Sequence, residues 1–101
     1  MKIKSKNDGE TVTITVEGKI DSATAPKLES AVKSEVARCA NLVFDFEKLD
    51  YISSAGLRIL LGAQKIMGSH GVKIINVNET VNDIFEVTGF SLILNIKTAS
   101  S

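Results

Sequence analysis

Apolar and polar residues alternate strictly along Thr11-Val12-Thr13-Ile14-Thr15-Val16, and the β-branched residues of this run favour extended backbone. Ile3 to Lys6 is a second extended run, and the Asn7-Asp8-Gly9 between the two predicts a hairpin with an Asp-Gly turn. Gly18 closes the second strand. From Ser22 to about Ala40, Ala25, Leu28, Val32, Val36 and Cys39 recur on one stripe at helical spacing, and Pro26 fits only that helix's first turn. Asn41 to Phe46 carries Leu42-Val43-Phe44 almost without a polar break, which predicts a strand covered on both faces. A helix starts near Ser54, runs to about Met67 and stops at Gly68-Ser69-His70-Gly71. Val72 to Val77 reads as another buried strand and Val81 to Val87 as a short helix closed by Gly89. Phe90 to Ile96 reads as the last strand, with Lys97 to Ser101 as a frayed tail.

Strands alternating with helices require right-handed crossovers and a mostly parallel sheet. The expected fold class is therefore a small α/β domain: a mostly parallel sheet with an antiparallel N-terminal edge strand, and helices packed on it. In such folds the loops at one sheet edge receive ligands and partners, which makes neighbours of Asp21 and Ser22, Ser53 and Ser54, and Asn78 to Thr80.

A chain of 101 residues suffices for one domain, residues 1–101, with one core. Twelve basic residues balance twelve acidic ones, and the cations are scattered among the acids, so no basic face exists for direct binding of nucleic acid. The basic start, Met1 to Asp8, is not followed by an apolar secretory segment. No apolar run approaches the roughly 20 residues of a membrane-spanning helix, so no membrane insertion is expected. The lone Cys39 suits a reducing compartment; the expected location is cytoplasmic.

The candidate chemistry lies in Asp50-Tyr51-Ile52-Ser53-Ser54-Ala55-Gly56-Leu57-Arg58, which sets two hydroxyls and a glycine where a helix begins. Free backbone N–H groups and a partial positive charge at such an end accommodate a phosphate on either serine. Ser53 suits the N-cap, which leaves Ser54 in the first turn with its hydroxyl outward. Gly56 either packs against a strand or gives a kinase close access to Ser54. On the helical wheel Arg58, Gly62 and Lys65 are polar and Leu57, Leu60, Leu61, Ala63 and Met67 apolar. Ile59 and Ile66 sit at the edge, completing the core or rimming a partner-binding patch, while Gln64 falls unexplained in the apolar arc. A Ser-His hydrolase is not expected, because His70 lies beyond the far end of a helix roughly 20 Å long. No GxGxxG or P-loop occurs, and one Cys with one His is no zinc site, so neither cofactor nor metal is expected and the chain does not read as an enzyme. A phospho-aspartate receiver is disfavoured as well, since Asp21, Asp45 and Asp50 do not form one acidic pocket.

Gly18-Lys19-Ile20-Asp21 followed by an Ala-Pro helix, then Ile52-Ser53-Ser54-Ala55-Gly56-Leu57, resembles the STAS domain over nearly the whole chain, and most closely the stand-alone bacterial anti-sigma factor antagonists. The resemblance implies partner switching. The unmodified antagonist binds an anti-sigma factor that is also an ATP-dependent serine/threonine kinase, phosphorylation ends the binding, and a metal-dependent serine/threonine phosphatase resets the cycle. It implies phosphorylation at Ser54, two positions before Gly56, with Ser53 the weaker candidate, and a role for Asp21 in kinase contact. The partner-binding set is Asp21, Ser22, Ser53, Ser54, Gly56, Leu57 and Ile59. One common family form has Asp where Ser53 stands and Ser or Thr where Ala55 stands. The alternative implied by the resemblance is a structural or regulatory subunit of a transporter or another multiprotein complex.

Overall fold

The computed structural model describes residues 1–68 and 71–98. Lys2–Asp8 (β1) and Thr11–Ile20 (β2) form the antiparallel hairpin, with Asp8 opposite Thr11 and therefore Gly9-Glu10 at the turn. The turn sits one residue beyond the predicted Asp-Gly pair, because Gly9 alone adopts its left-handed φ of 67° without a Cβ penalty. β2 does not stop at Gly18. A φ of 97° there allows a bulge between Gly18 and Lys19, and across it the strand changes partners. Thr11 to Thr15 pair in parallel with Asn41–Asp45 (β3), whereas Gly18 to Ile20 pair in parallel with Leu49–Ile52 (β4).

The six-stranded sheet has the order β1-β2-β3-β5-β6, with β4 beside β2, where β5 is Val72–Val77 and β6 is Ile96–Thr98. Every pair except the hairpin is parallel. The three α-helices among the described residues are Ala25–Val36 (α1), Ser54–Met67 (α2) and Glu79–Thr88 (α3).

Only one face of the sheet is closed. Val12, Ile14 and Val16 of β2, Leu42 and Phe44 of β3, and Val72 and Ile74 of β5 are 1% exposed or less. Their neighbours Thr13, Thr15, Val43 and Ile75 are only half-buried and Lys73 is exposed, so β3 and β5 are not covered on both faces as their apolar runs predicted. The closed face shares one core with Leu28 of α1, Leu60 of α2 and Phe85 of α3. Full burial of each such side chain contributes about 1.5–3 kcal/mol, which makes the closed face the main source of stability.

Other departures have local causes. α1 begins at Ala25 rather than Ser22, because a hydrogen-bonded turn occupies Asp21 to Thr24, and it ends at Val36, four residues before Ala40. The last strand is not Phe90 to Ile96: left-handed Gly89 starts a 3₁₀ turn over Phe90–Leu92, and pairing resumes only at β6. Lys97 and Thr98, read as frayed, therefore belong to a strand, while the rest of that tail lies outside the described residues.

Candidate functional site

Because β2 and β4 run parallel, the loops that follow them leave the sheet at one edge, and the Ser53 N–H donates to the Ile20 carbonyl at 2.8 Å. That bond holds the two loops side by side. β5 ends at the same edge. Asn78, which follows it, accepts from the Val81 N–H at 2.8 Å to cap α3 and donates from Nδ2 to the Leu49 carbonyl at 2.6 Å.

In the first loop Asp21 Oδ1 accepts from the backbone N–H groups of Ala23 and Thr24, both at 3.0 Å. Thr24 Oγ1 accepts from the Asp21 N–H at 2.9 Å and donates to the Lys19 carbonyl at 3.0 Å. The Thr24 backbone hydrogen bond holds the Asp21 carboxyl below its ordinary range; partial burial opposes this, while the Ala23 N–H, the Thr24 hydroxyl and the Lys19 charge add to it. Asp21 is thus a turn-forming residue, and Ser22 beside it is exposed.

The second loop is built differently. Ser53 has the extended backbone of an N-cap, φ −91° and ψ 175°, and its carbonyl accepts from the Leu57 N–H at 3.0 Å. Its hydroxyl makes no capping bond, and Oγ is buried without a hydrogen-bond partner. Ser53 is therefore an N-cap by backbone only, a correction to the expectation that its hydroxyl serves the helix N–H groups. Ser54, the first residue of α2, is exposed.

Gly56 and Leu57 lie inside, which removes both from the surface offered to a partner. A Cβ on Gly56 would stand 2.6 Å from Ile20 Cγ2 and 2.7 Å from Ile52 Cγ1, and Leu57 is 4% exposed. Of the two readings of Gly56, close packing is the one with a structural cause. Ile59 is half-buried against the core, whereas Ile66 is 65% exposed. The Gln64 Oε1, in the apolar arc, is buried with no hydrogen-bond partner.

α1 and α2 leave an open cleft of about 290 Å³ between their N-terminal turns, lined by Ser22, Pro26, Glu29, Ala55, Arg58 and Ile59 among others. It joins Ser22 and Ile59 of the expected partner-binding set and adds Pro26, Glu29 and Arg58, which that set lacked. Their signal was present in the i, i+3 and i, i+4 spacing within each helix, but the pairing of α1 with α2 was not. Tyr51, on the unrecognised strand β4, is 44% exposed beside the same loop.

Asp45 is engaged elsewhere, its Oδ1 accepting from Asn76 Nδ2 and from the Glu47 N–H, both at 3.1 Å. No group of three or more His, Cys, Asp or Glu placed to hold a metal occurs among the described residues. His70 lies outside them, so its expected separation from the serines is not measured. No helix among the described residues is long and apolar enough to cross a membrane.

The sequence profile of the STAS domain matches residues 2–101. The chain belongs to the STAS domain family. An anti-sigma-B factor antagonist of Listeria monocytogenes serovar 1/2a is 31% identical to this STAS domain over 95 residues, 91% of this chain and 83% of that protein. An anti-sigma factor antagonist from Mycobacterium paratuberculosis has the same fold, with a TM-score of 0.87 at 24% identity, over 95% of this chain and 84% of that one. The Bacillus cell fate determinant SpoIIAA in its phosphorylated form gives a TM-score of 0.73 at 18% identity, over 96% and 92% of the two chains. SpoIIAA in its unphosphorylated form gives 0.81 at 19%, over 96% and 89%. In this STAS domain the exposed Ser54 and the sealed Ser53 are thus adjacent residues with opposite access.

Proposed function

We propose that this STAS domain is an anti-sigma factor antagonist that switches partners through Ser54. Unmodified, it binds an anti-sigma factor that is itself a serine kinase, and a sigma factor is released. Ser54 Oγ then attacks the γ-phosphorus of ATP held by that kinase. The bond from the γ-phosphorus to the bridging oxygen breaks, ADP leaves, and the hydroxyl proton passes to a base of the kinase. The names carried by the relatives support the antagonist role. The single observation that carries the acceptor assignment is that Ser54 is exposed while the hydroxyl of Ser53 is sealed.

Phosphoserine brings about 1.5–2 negative charges at neutral pH, and the free N–H groups and dipole of the α2 N-terminus offset part of it. The domain keeps its fold. Burying the same charge in an interface without a cation costs several kcal/mol, and each 1.4 kcal/mol weakens binding about tenfold. A metal-dependent serine/threonine phosphatase returns the unmodified form by hydrolysing the phosphoserine.

The test is incubation with ATP and serine kinases encoded near this chain, read by intact mass and peptide mapping. One phosphate on the peptide bearing Ser54, lost in Ser54→Ala, together with weaker kinase binding by the product, is the expected result. Continued modification of Ser54→Ala, or undiminished binding after modification, refutes it. Co-purification with a membrane transporter, indifferent to Ser54, points to the alternative role as a transporter subunit.

A further inference from the structure

The charged side chains of α2 are Arg58 and Lys65, both basic and both exposed. At helical spacing they share one outward stripe with Ser54. Arg58 follows it by four residues, which sets the two Cβ atoms about 5–6 Å apart. Arg58 also forms a wall of the cleft between α1 and α2. It borders the smaller hollow of about 90 Å³ farther along the same groove, where Val32, Ile59, Ala63 and Ile66 lie. The charged groups facing it from α1 are Glu29 and Lys33, which face each other at 4.0 Å. Among the described residues Arg58 itself makes no ion pair.

A basic stripe beside an apolar groove complements an acidic partner surface with an apolar side chain to insert. An acidic partner surface there would add charge repulsion to the cost of burying an uncompensated phosphoserine. Resting on the Ser54 reading above, we propose that Arg58 is traded between two anions. With Ser54 bare, Arg58 meets a carboxylate of the docked anti-sigma factor, whose neighbouring apolar side chain enters the cleft beside Ile59. With Ser54 phosphorylated, the guanidinium turns one helical turn back to the phosphate, an anion-before-cation pair at the favourable i, i+4 spacing. The partner then loses its counter-charge and meets a new negative charge in the same step. A phosphate near two charges outcompetes the single carboxylate of Glu29, which already faces Lys33.

The internal half of the exchange is testable without any kinase. Phosphoserine is encoded genetically at position 54 of the full chain, and its second ionisation is followed by ³¹P NMR with Arg58 present and in Arg58→Gln. Lys65, Glu29 and Lys33 stay unchanged in both proteins. The expected result is titration at lower pH with Arg58 present, a difference that narrows at high salt. Coincident curves overturn the internal pair. For the external half, Arg58→Gln without phosphate should bind the anti-sigma factor about five- to tenfold more weakly. The ratio of unmodified to phosphorylated affinity should contract by about the same factor, with Arg58→Lys intermediate. An unchanged ratio overturns the exchange. If kinases leave Ser54 untouched, the proposed function fails, while the NMR comparison on encoded phosphoserine still decides the internal pair.

Discussion

The two loops joined by the Ser53–Ile20 hydrogen bond sit at one sheet edge, and they are made in opposite ways. Asp21 and Thr24 close the first loop on itself, the Asp21 carboxylate and the Thr24 hydroxyl both spent on backbone groups, with Ser22 exposed between them. Ser53-Ser54 spends neither hydroxyl: one is walled in without a partner and the other stands outside. The first loop is a fixed brace and the second a displayed end. A hydroxyl already committed to its own backbone is a poor recipient for a new group, which sets Thr24 apart from the exposed Ser54.

The largest expected effect separates the loops by function. Phosphate on Ser54 should weaken binding of the anti-sigma factor by roughly 100-fold or more, corresponding to about 3 kcal/mol, measured by calorimetry on the modified and unmodified forms. Ser22→Asp, which places one charge rather than about two on the other wall of the same cleft, should weaken binding less. Equal losses from both positions would erase the distinction.

Next comes the floor beneath the displayed end. Gly56→Ala drives a methyl into Ile20 and Ile52, and should cost about 1–3 kcal/mol in urea unfolding. An unchanged midpoint would mean that α2 can lift from the sheet, and that the second loop is not held from below.

Smaller effects test the brace. Asp21→Ala frees the N–H groups of Ala23 and Thr24 and should lower the unfolding midpoint, by less than Gly56→Ala does. Because the Asp21 carboxyl titrates below its ordinary value of 3.8, the ionised form is the one the fold favours. Its contribution is complete at neutral pH and is lost as pH falls through the range below 3.8. The stability gap between the native sequence and Asp21→Asn should therefore narrow on acidification. A gap that widens has the wrong sign and removes the brace argument.

The smallest effect belongs to Ser53→Ala. Deleting a buried hydroxyl with no partner should leave stability unchanged or raise it by up to about 1 kcal/mol. A clear loss in thermal unfolding would reveal a capping bond at Ser53, and the two loops would then resemble each other.

Much of this arrangement was legible in the sequence. Strict alternation in Thr11 to Val16 is a two-sided signal that only a half-closed strand satisfies, and the α2 periodicity located Ser54 at its first residue. β4 escaped notice because four residues with buried ends and an exposed middle, Leu49 to Ile52, imitate a loop. The apolar run of β3 suggested cover on both sides, yet Val43 needs only half-burial between neighbouring side chains on the open face. The sealing of Ser53 could not be read locally. Nor could the change of partner of β2 at Gly18, which pairs it with β4 and sets the Ser53 N–H on the Ile20 carbonyl, a contact between segments about thirty residues apart in sequence.

The closeness of α2 to the sheet at Gly56 has a consequence for how a signal travels. With isoleucine branches filling the space where a single methyl would go, the start of the helix would have nowhere to retreat from a bulky anion placed above it. A charge added there would change the outline and electrostatics of the domain and leave its interior as it is. A partner would then read the change from outside, much as a key is read by its teeth while the shank remains rigid.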